Sequence, residues 1–162
     1  RYKESGYMIV IGSDHTGIEL KKKIILHLEE RNIKVKDVSN FEDQSGDDYP
    51  DIAYLVCKNV LDEKCLGIAI CGTGIGISIA CNKVNGIRAA VCTDKYMAKM
   101  TRQDNDANVL CLGSRLNIED VMSIVDEYID TEFAGGRHQR RIDKISLIEK
   151  SQKDGVEYDN SL

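Results

Sequence analysis

The sequence has no tryptophan, two phenylalanines and a single proline, Pro50, among 162 residues. A core must therefore be filled by aliphatic side chains, and a hydrophobic content of 42% supplies enough of them for one full domain. No apolar run approaches the length of a membrane span, and the N-terminus lacks the basic-then-apolar pattern of a secretion signal, so a cytoplasmic protein is expected. Excess positive charge is missing too. The formal net charge is -5 and the isoelectric point about 5.2, which argues against a general nucleic-acid or membrane-surface binder and favours small-molecule chemistry. The six cysteines, at 57, 65, 71, 81, 92 and 111, contain no Cys-x-x-Cys pair, and no histidine cluster stands at metal-ligand spacing. They read as reduced thiols, five of them small hydrophobes inside apolar runs.

What is present is an alternation of short apolar runs and helical periodicity. Met8-Ile9-Val10-Ile11-Gly12 reads as a buried strand, followed by a helix with Leu20, Ile24 and Leu28 on one face and His27 on its surface. Lys34 to Val38 alternates as a half-exposed strand, and the polar segment Ser39 to Asp48 reads as a loop. Pro50 suits the first turn of a helix running to about Leu61. A central strand at Gly67 to Cys71 leads into a helix to about Val84, and Ile87 to Cys92 and Asn108 to Gly113 read as the fourth and fifth strands, separated by a helix over Lys95 to Gln103. Val121, Ile124, Val125, Tyr128 and Ile129 share a helix face, Gly135-Gly136 breaks the chain, and a last helix starts near Arg137. The domain is expected over residues 8–150, with 1–7 an extension and 151–162 a polar, fraying tail. Strands alternating with helices predict a doubly wound α/β fold around a five-stranded parallel sheet of order 2-1-3-4-5, with ligands bound between the first and third strands.

That crevice is framed by two stretches. Ser13-Asp14-His15 follows the first strand, where Ser13 or Asp14 can equally be a helix cap. Cys71-Gly72-Thr73-Gly74-Ile75-Gly76 follows the third, where unpaired N–H groups favour an anion or the thiolate of a neighbouring cysteine. Cys71 is therefore the candidate reactive thiol, its alternative reading being a small residue that closes a strand. The glycines match neither Gly-x-Gly-x-x-Gly nor a P-loop, which excludes a dinucleotide and a nucleoside triphosphate and leaves a smaller anion. Arg137 and Arg141, four apart, would share one side of a helix, where they grip an anion or simply face solvent.

Four motifs in order, Gly12-Ser13-Asp14-His15, Cys71-Gly72-Thr73-Gly74-Ile75-Gly76, Asn105-Asp106-Ala107-Asn108 and Gly136-Arg137-His138-Gln139-Arg140-Arg141, resemble the type B ribose-5-phosphate isomerases over Met8 to about Lys150. The galactose-6-phosphate isomerase subunits share the fold but match the pattern less completely. The resemblance implies interconversion of D-ribose 5-phosphate and D-ribulose 5-phosphate with no metal or other cofactor. It also implies a homodimer or dimer of dimers with shared sites and a C-terminal helix reaching the partner subunit. By the same resemblance Cys71 is the base, and Thr73 with the N–H groups of Gly72, Thr73, Gly74, Ile75 and Gly76 holds the enediolate. Asp14, His15 and Asn105 contact the sugar phosphate, and Arg115, Arg137 and Arg141 line its phosphate end. Isomerisation of a 6-phosphohexose, non-catalytic phosphosugar binding and, more distantly, a flavodoxin-like carrier are the alternatives.

One residue departs from the family pattern. Asp104 stands where these isomerases usually carry a ring-opening histidine, and an ordinary carboxylate is ionised near pH 7 and a poor acid. His15 then takes over as proton donor, or the enzyme relies on open-chain sugar, with Asp104 itself able to serve only if its acidity were strongly weakened. Turnover is accordingly expected to be slower from ribose 5-phosphate than from ribulose 5-phosphate. Equal single-turnover rates in the two directions, once corrected for the overall equilibrium, would count against this.

Overall fold

The computed structural model describes residues 8–161, so the extension expected over 1–7 lies outside the described residues. Strands β1 (Met8–Ser13), β2 (Lys34–Asp37), β3 (Leu66–Cys71), β4 (Ala89–Val91) and β5 (Val109–Gly113) form one parallel sheet. Its helices are α1 (Ile18–Glu30), α2 (Tyr49–Glu63), α3 (Ile75–Cys81), α4 (Lys95–Asn105), α5 (Val121–Asp130) and α6 (Arg137–Asp154), with a 3-10 turn at His15–Gly17.

The two faces of the sheet are unlike. Ile9, Ile11, Ile68, Ile70, Leu110 and Leu112 project toward a cluster with Ile24, Leu28, Ile124, Val125 and Tyr128 from α1 and α5. The alternate residues Val10, Ala69, Cys71, Val109 and Cys111 meet Ile52, Val56, Cys57, Val60, Ile77 and Cys81 of α2 and α3. Period-two alternation thus sends bulky residues to one side and small ones to the other. The small side lets α2 lie close: a Cβ on Gly67 would stand 2.5 Å from Val60 Cγ2, and one on Gly12 2.7 Å from Val56 Cγ2.

The strand order is β2-β1-β3-β5-β4, not 2-1-3-4-5. The last two strands are exchanged because β5 is buried at every residue, as a central strand must be, whereas the three residues of β4 are only partly buried. The crevice between β1 and β3 is unaffected, since those strands pair from Ile9–Leu66 to Ser13–Ile70.

Two smaller readings also change. His27 is more than a surface residue: its Nε2 lies 2.7 Å from Asp126 Oδ1, which also accepts from Arg31 at 2.6 Å, tying α1 to α5. The last helix does not fray at Ser151 but continues to Asp154, because Ser151 is buried with its hydroxyl donating to the Ile148 carbonyl, and Gly155 caps the end in the left-handed region. Among the described residues, no helix is long and apolar enough to cross a membrane.

At the carboxyl ends of the strands a Cβ on Gly113 would fall 2.6 Å from both the carbonyl carbon and the oxygen of Thr73. Gly113→Ala is expected to cost about 1–3 kcal/mol, as overpacking against backbone does. A urea midpoint indistinguishable from that of the parent would contradict this close approach.

Candidate functional site

Three strand ends meet at one edge of the sheet. β3 stops at Cys71, and the chain turns through Gly74, whose φ of +78° is left-handed and suits glycine, to start α3. In that turn the Gly74 N–H donates to Cys71 Sγ at 3.2 Å, and the Ile75 N–H donates to Thr73 Oγ1 at 3.2 Å. Two of the five N–H groups expected to hold an anion therefore already have acceptors inside the turn. Cys71 is 4% exposed and sits at the strand's end, while Thr73 and Ile75 face outward.

From β1, the Asp14 N–H donates to the Ile70 carbonyl at 3.0 Å, which fixes the chain beside the same turn. Asp14 is 5% exposed and caps the 3-10 turn, its Oδ1 accepting from the Thr16 N–H at 3.0 Å and the Thr16 hydroxyl at 2.6 Å. His15 is exposed and bonded to Asp47, with Nδ1 at 2.7 Å from Oδ1. That hydrogen bond raises the His15 pKa above its usual 6.5, opposed by desolvation and by the Arg115 charge and aided by Asp14. Burial pushes the Asp47 carboxyl up, but hydrogen bonds from the His15 ring, the His15 backbone and Gln44 outweigh it and leave Asp47 below the ordinary carboxylate range.

From β5, the Ser114 N–H donates to the Cys71 carbonyl and the Arg115 N–H to the Gly72 carbonyl, both at 2.9 Å. The Arg115 guanidinium lies over Gly72, where a Cβ would be 3.3 Å from Nη1. The structure thus brings together Asp14, His15, Gly72, Thr73, Gly74, Ile75, Gly76 and Arg115 around Cys71.

It does not bring Asp104, Asn105, Arg137 or Arg141 to that edge. Helix α4 runs back against the strands, so Asn105 lies where β5 begins, with its carbonyl accepting from Arg88 Nε at 2.9 Å. The Ala134 N–H donates to the Gln103 carbonyl at 3.0 Å, which brings the start of α6 to the same end. There His138 Nε2 stands 3.4 Å from Asp104 Oδ1. The length of β5, roughly 15 Å at ~3.3 Å per residue, separates this group from Cys71.

Sequence reasoning missed Asp47, Gln44, Tyr49 and His138 as site residues. Tyr49 presses on the turn, since a Cβ on Gly76 would come 2.8 Å from Tyr49 Cζ. His138 was visible inside its motif; Asp47 and Gln44 sit in an aperiodic loop and left no signal. Among the described residues, no three His, Cys, Asp or Glu side chains gather as a metal site.

A family model described as Ribose/Galactose Isomerase matches residues 9–145. The probable ribose-5-phosphate isomerase B of Mycoplasma pneumoniae is 44% identical over 151 residues, covering 92% of this chain and 99% of that protein. The ribose-5-phosphate isomerase B of Clostridium thermocellum superposes with a TM-score of 0.85 at 49% identity, covering 90% of this chain and 99% of that one. The Mycoplasma genitalium enzyme, solved with bound ribulose-5-phosphate, gives 0.83 at 47% identity, with 89% and 97% covered.

Four of the other thiols are poorly suited to reaction. Burial pushes Cys65 up to about 11 and Cys92 up to about 12; hydrogen bonding to Cys81 pushes Cys57 higher still, and hydrogen bonding to Cys111 does the same for Cys81. The first equivalent of iodoacetamide taken up by the native protein at pH 7.5 is expected on Cys71, as located by peptide mass spectrometry. Prior labelling of Cys65, the more exposed residue at 7%, would overturn that order.

Proposed function

The chain belongs to the ribose/galactose isomerase family, and from that premise we propose that it interconverts D-ribose 5-phosphate and D-ribulose 5-phosphate through an enediolate, with Cys71 as the base. The observation that carries this reading is the convergence of three strand ends on one sulfur: Cys71 Sγ accepts from Gly74, with His15 and Arg115 mounted on the neighbouring strand ends.

The Cys71 thiolate removes the proton from C2 of the open-chain aldose, and the electrons of that bond move onto O1. The thiol returns the proton to C1, while the O2 hydroxyl proton passes to O1 and leaves the ketone at C2. Charge on oxygen is held by the N–H groups of the turn not committed within it and by Thr73; such donors are commonly worth a few kcal/mol each. Asp14 and His15 meet the sugar phosphate, and Arg115 adds a positive charge over Gly72. A phosphate bound far from C1 and C2 keeps those carbons against the sulfur.

Asn105, Arg137 and Arg141 cannot reach that sulfur within one folded chain, being at the other end of the sheet. We assign them, with Asp104 and His138, to the site of a second copy, so that a homodimer carries two sites each built from both chains. The exposed Ile145, Leu147 and Ile148 of α6 and the partly buried edge strand β4 suit such an association. A longer substrate such as a 6-phosphohexose fits the family equally; the bound ribulose-5-phosphate of the Mycoplasma genitalium relative favours the pentose.

In heavy water the parent is expected to exchange the C2 proton of ribose 5-phosphate, and Cys71→Ala to lose at least about 100-fold in that rate. Unchanged exchange would remove Cys71 from the mechanism. Mixing Cys71→Ala with Arg137→Ala under conditions that exchange subunits should restore activity, because one of the two mixed sites then holds both intact halves. No restoration, with mixed dimers demonstrated by mass spectrometry, would mean that each site is made by one chain.

A further inference from the structure

The polar loop between β2 and α2, over residues 39–48, is anchored from below. Buried Lys21 places Nζ 3.0 Å from Asp37 Oδ2 and 3.1 Å from Ser39 Oγ, which in turn accepts from the Ser13 N–H at 2.9 Å. Gln44, also buried, uses one amide group for two acceptors, the Ser13 carbonyl and Asp47 Oδ2, both at 2.9 Å. Asp47 is thus held by one oxygen, and its other oxygen is turned to His15, accepting from the backbone N–H at 2.9 Å and meeting Nδ1 at 2.7 Å. A surface ion pair has no such backing; this carboxylate is built into the end of β1.

We propose that Asp47 is a positioning residue: it holds the His15 ring by Nδ1, so that Nε2 is the nitrogen offered to a substrate oxygen as hydrogen-bond and proton donor. The proposal rests on the reading of His15 as a group that meets the sugar phosphate. Occupying one ring nitrogen with a carboxylate sets the tautomer and the ring plane. The charged groups facing His15 are Asp47 from the loop, Asp14 from its own turn and Arg115 from the end of β5. The two carboxylates together outweigh the guanidinium, so the imidazolium persists to higher pH than that of a free histidine. This places an acid at the edge that carries Cys71. The Nε2 proton passes to the furanose ring oxygen, the C1–O4 bond breaks, and the anomeric hydroxyl gives its proton to solvent as the aldehyde forms.

The test compares the parent with Asp47→Asn by long-range nitrogen spectra of the imidazole rings, by the pH profile of turnover on ribose 5-phosphate and by proton exchange into ribulose 5-phosphate. In the parent, the neutral His15 carries its proton on Nδ1 and titrates above 6.5. In Asp47→Asn the titration moves down toward that value and the Nε2-protonated tautomer grows. kcat/KM on ribose 5-phosphate falls about tenfold or more at pH 7.5, with its alkaline limb shifted to lower pH. Exchange of the C1 proton of ribulose 5-phosphate with heavy water, which forms the enediolate with no ring to open or close, changes less than about twofold. An unchanged His15 titration and tautomer in the variant, or a loss in that exchange as large as the loss in kcat/KM on ribose 5-phosphate, overturns the proposal. Should Asp47→Asn fold poorly, an Nε2-protonated neutral His15 in the parent overturns it alone. A parent that isomerises neither sugar tells against the isomerase reading instead, and the ring spectra still judge Asp47.

Discussion

The hydrogen bond from the Gly74 N–H to the Cys71 sulfur can form only because the backbone turns left-handed at Gly74 and lies directly on β5. A Cβ at Gly74 would stand 2.9 Å from the Leu112 carbonyl carbon, and one at Gly113 would meet Thr73. Two glycines, one in the turn after β3 and one at the end of β5, therefore close the same gap. Ser114 and Arg115 extend the β3–β5 pairing past the strand ends by donating to the Cys71 and Gly72 carbonyls. Sulfur, anion-facing turn and guanidinium are thus parts of one rigid edge, and their mutual placement follows from strand pairing more than from any side-chain contact.

Much of this was legible from residue order. Short apolar runs marked four of the strands and alternation the second, and the glycine turn after the third marked the reactive edge. The exchange of β4 and β5 was also within reach: Val109 to Leu112 is uniformly apolar, whereas the stretch from Ile87 to Cys92 carries Arg88 and two alanines, a composition suited to a sheet margin. Topology alone could further have divided the site, because Asn105 precedes a strand while His15 and Cys71 follow theirs. In a parallel sheet those are opposite ends.

Asp47 and Gln44 were not legible. Asp47 bonds a residue 32 positions away, and its loop carries neither the two-residue nor the 3.6-residue period that makes burial readable. Lys21 was similarly concealed as one of three consecutive lysines, yet it is 4% exposed beneath the loop. Helical phase turns Lys21 inward, in line with Ile24 and Leu28, while Lys22 and Lys23 face water.

The unequal faces of the sheet have a further consequence for how the sequence can drift. On the side of α1 and α5, isoleucines and leucines of similar volume can be exchanged for one another with modest repacking. On the other side, glycines at 12 and 67 lie under valine methyl groups, and a single added carbon would force those valines to shift. Tolerance to substitution is therefore lowest on the face that carries the reactive sulfur, and inherited variation should collect on the opposite one.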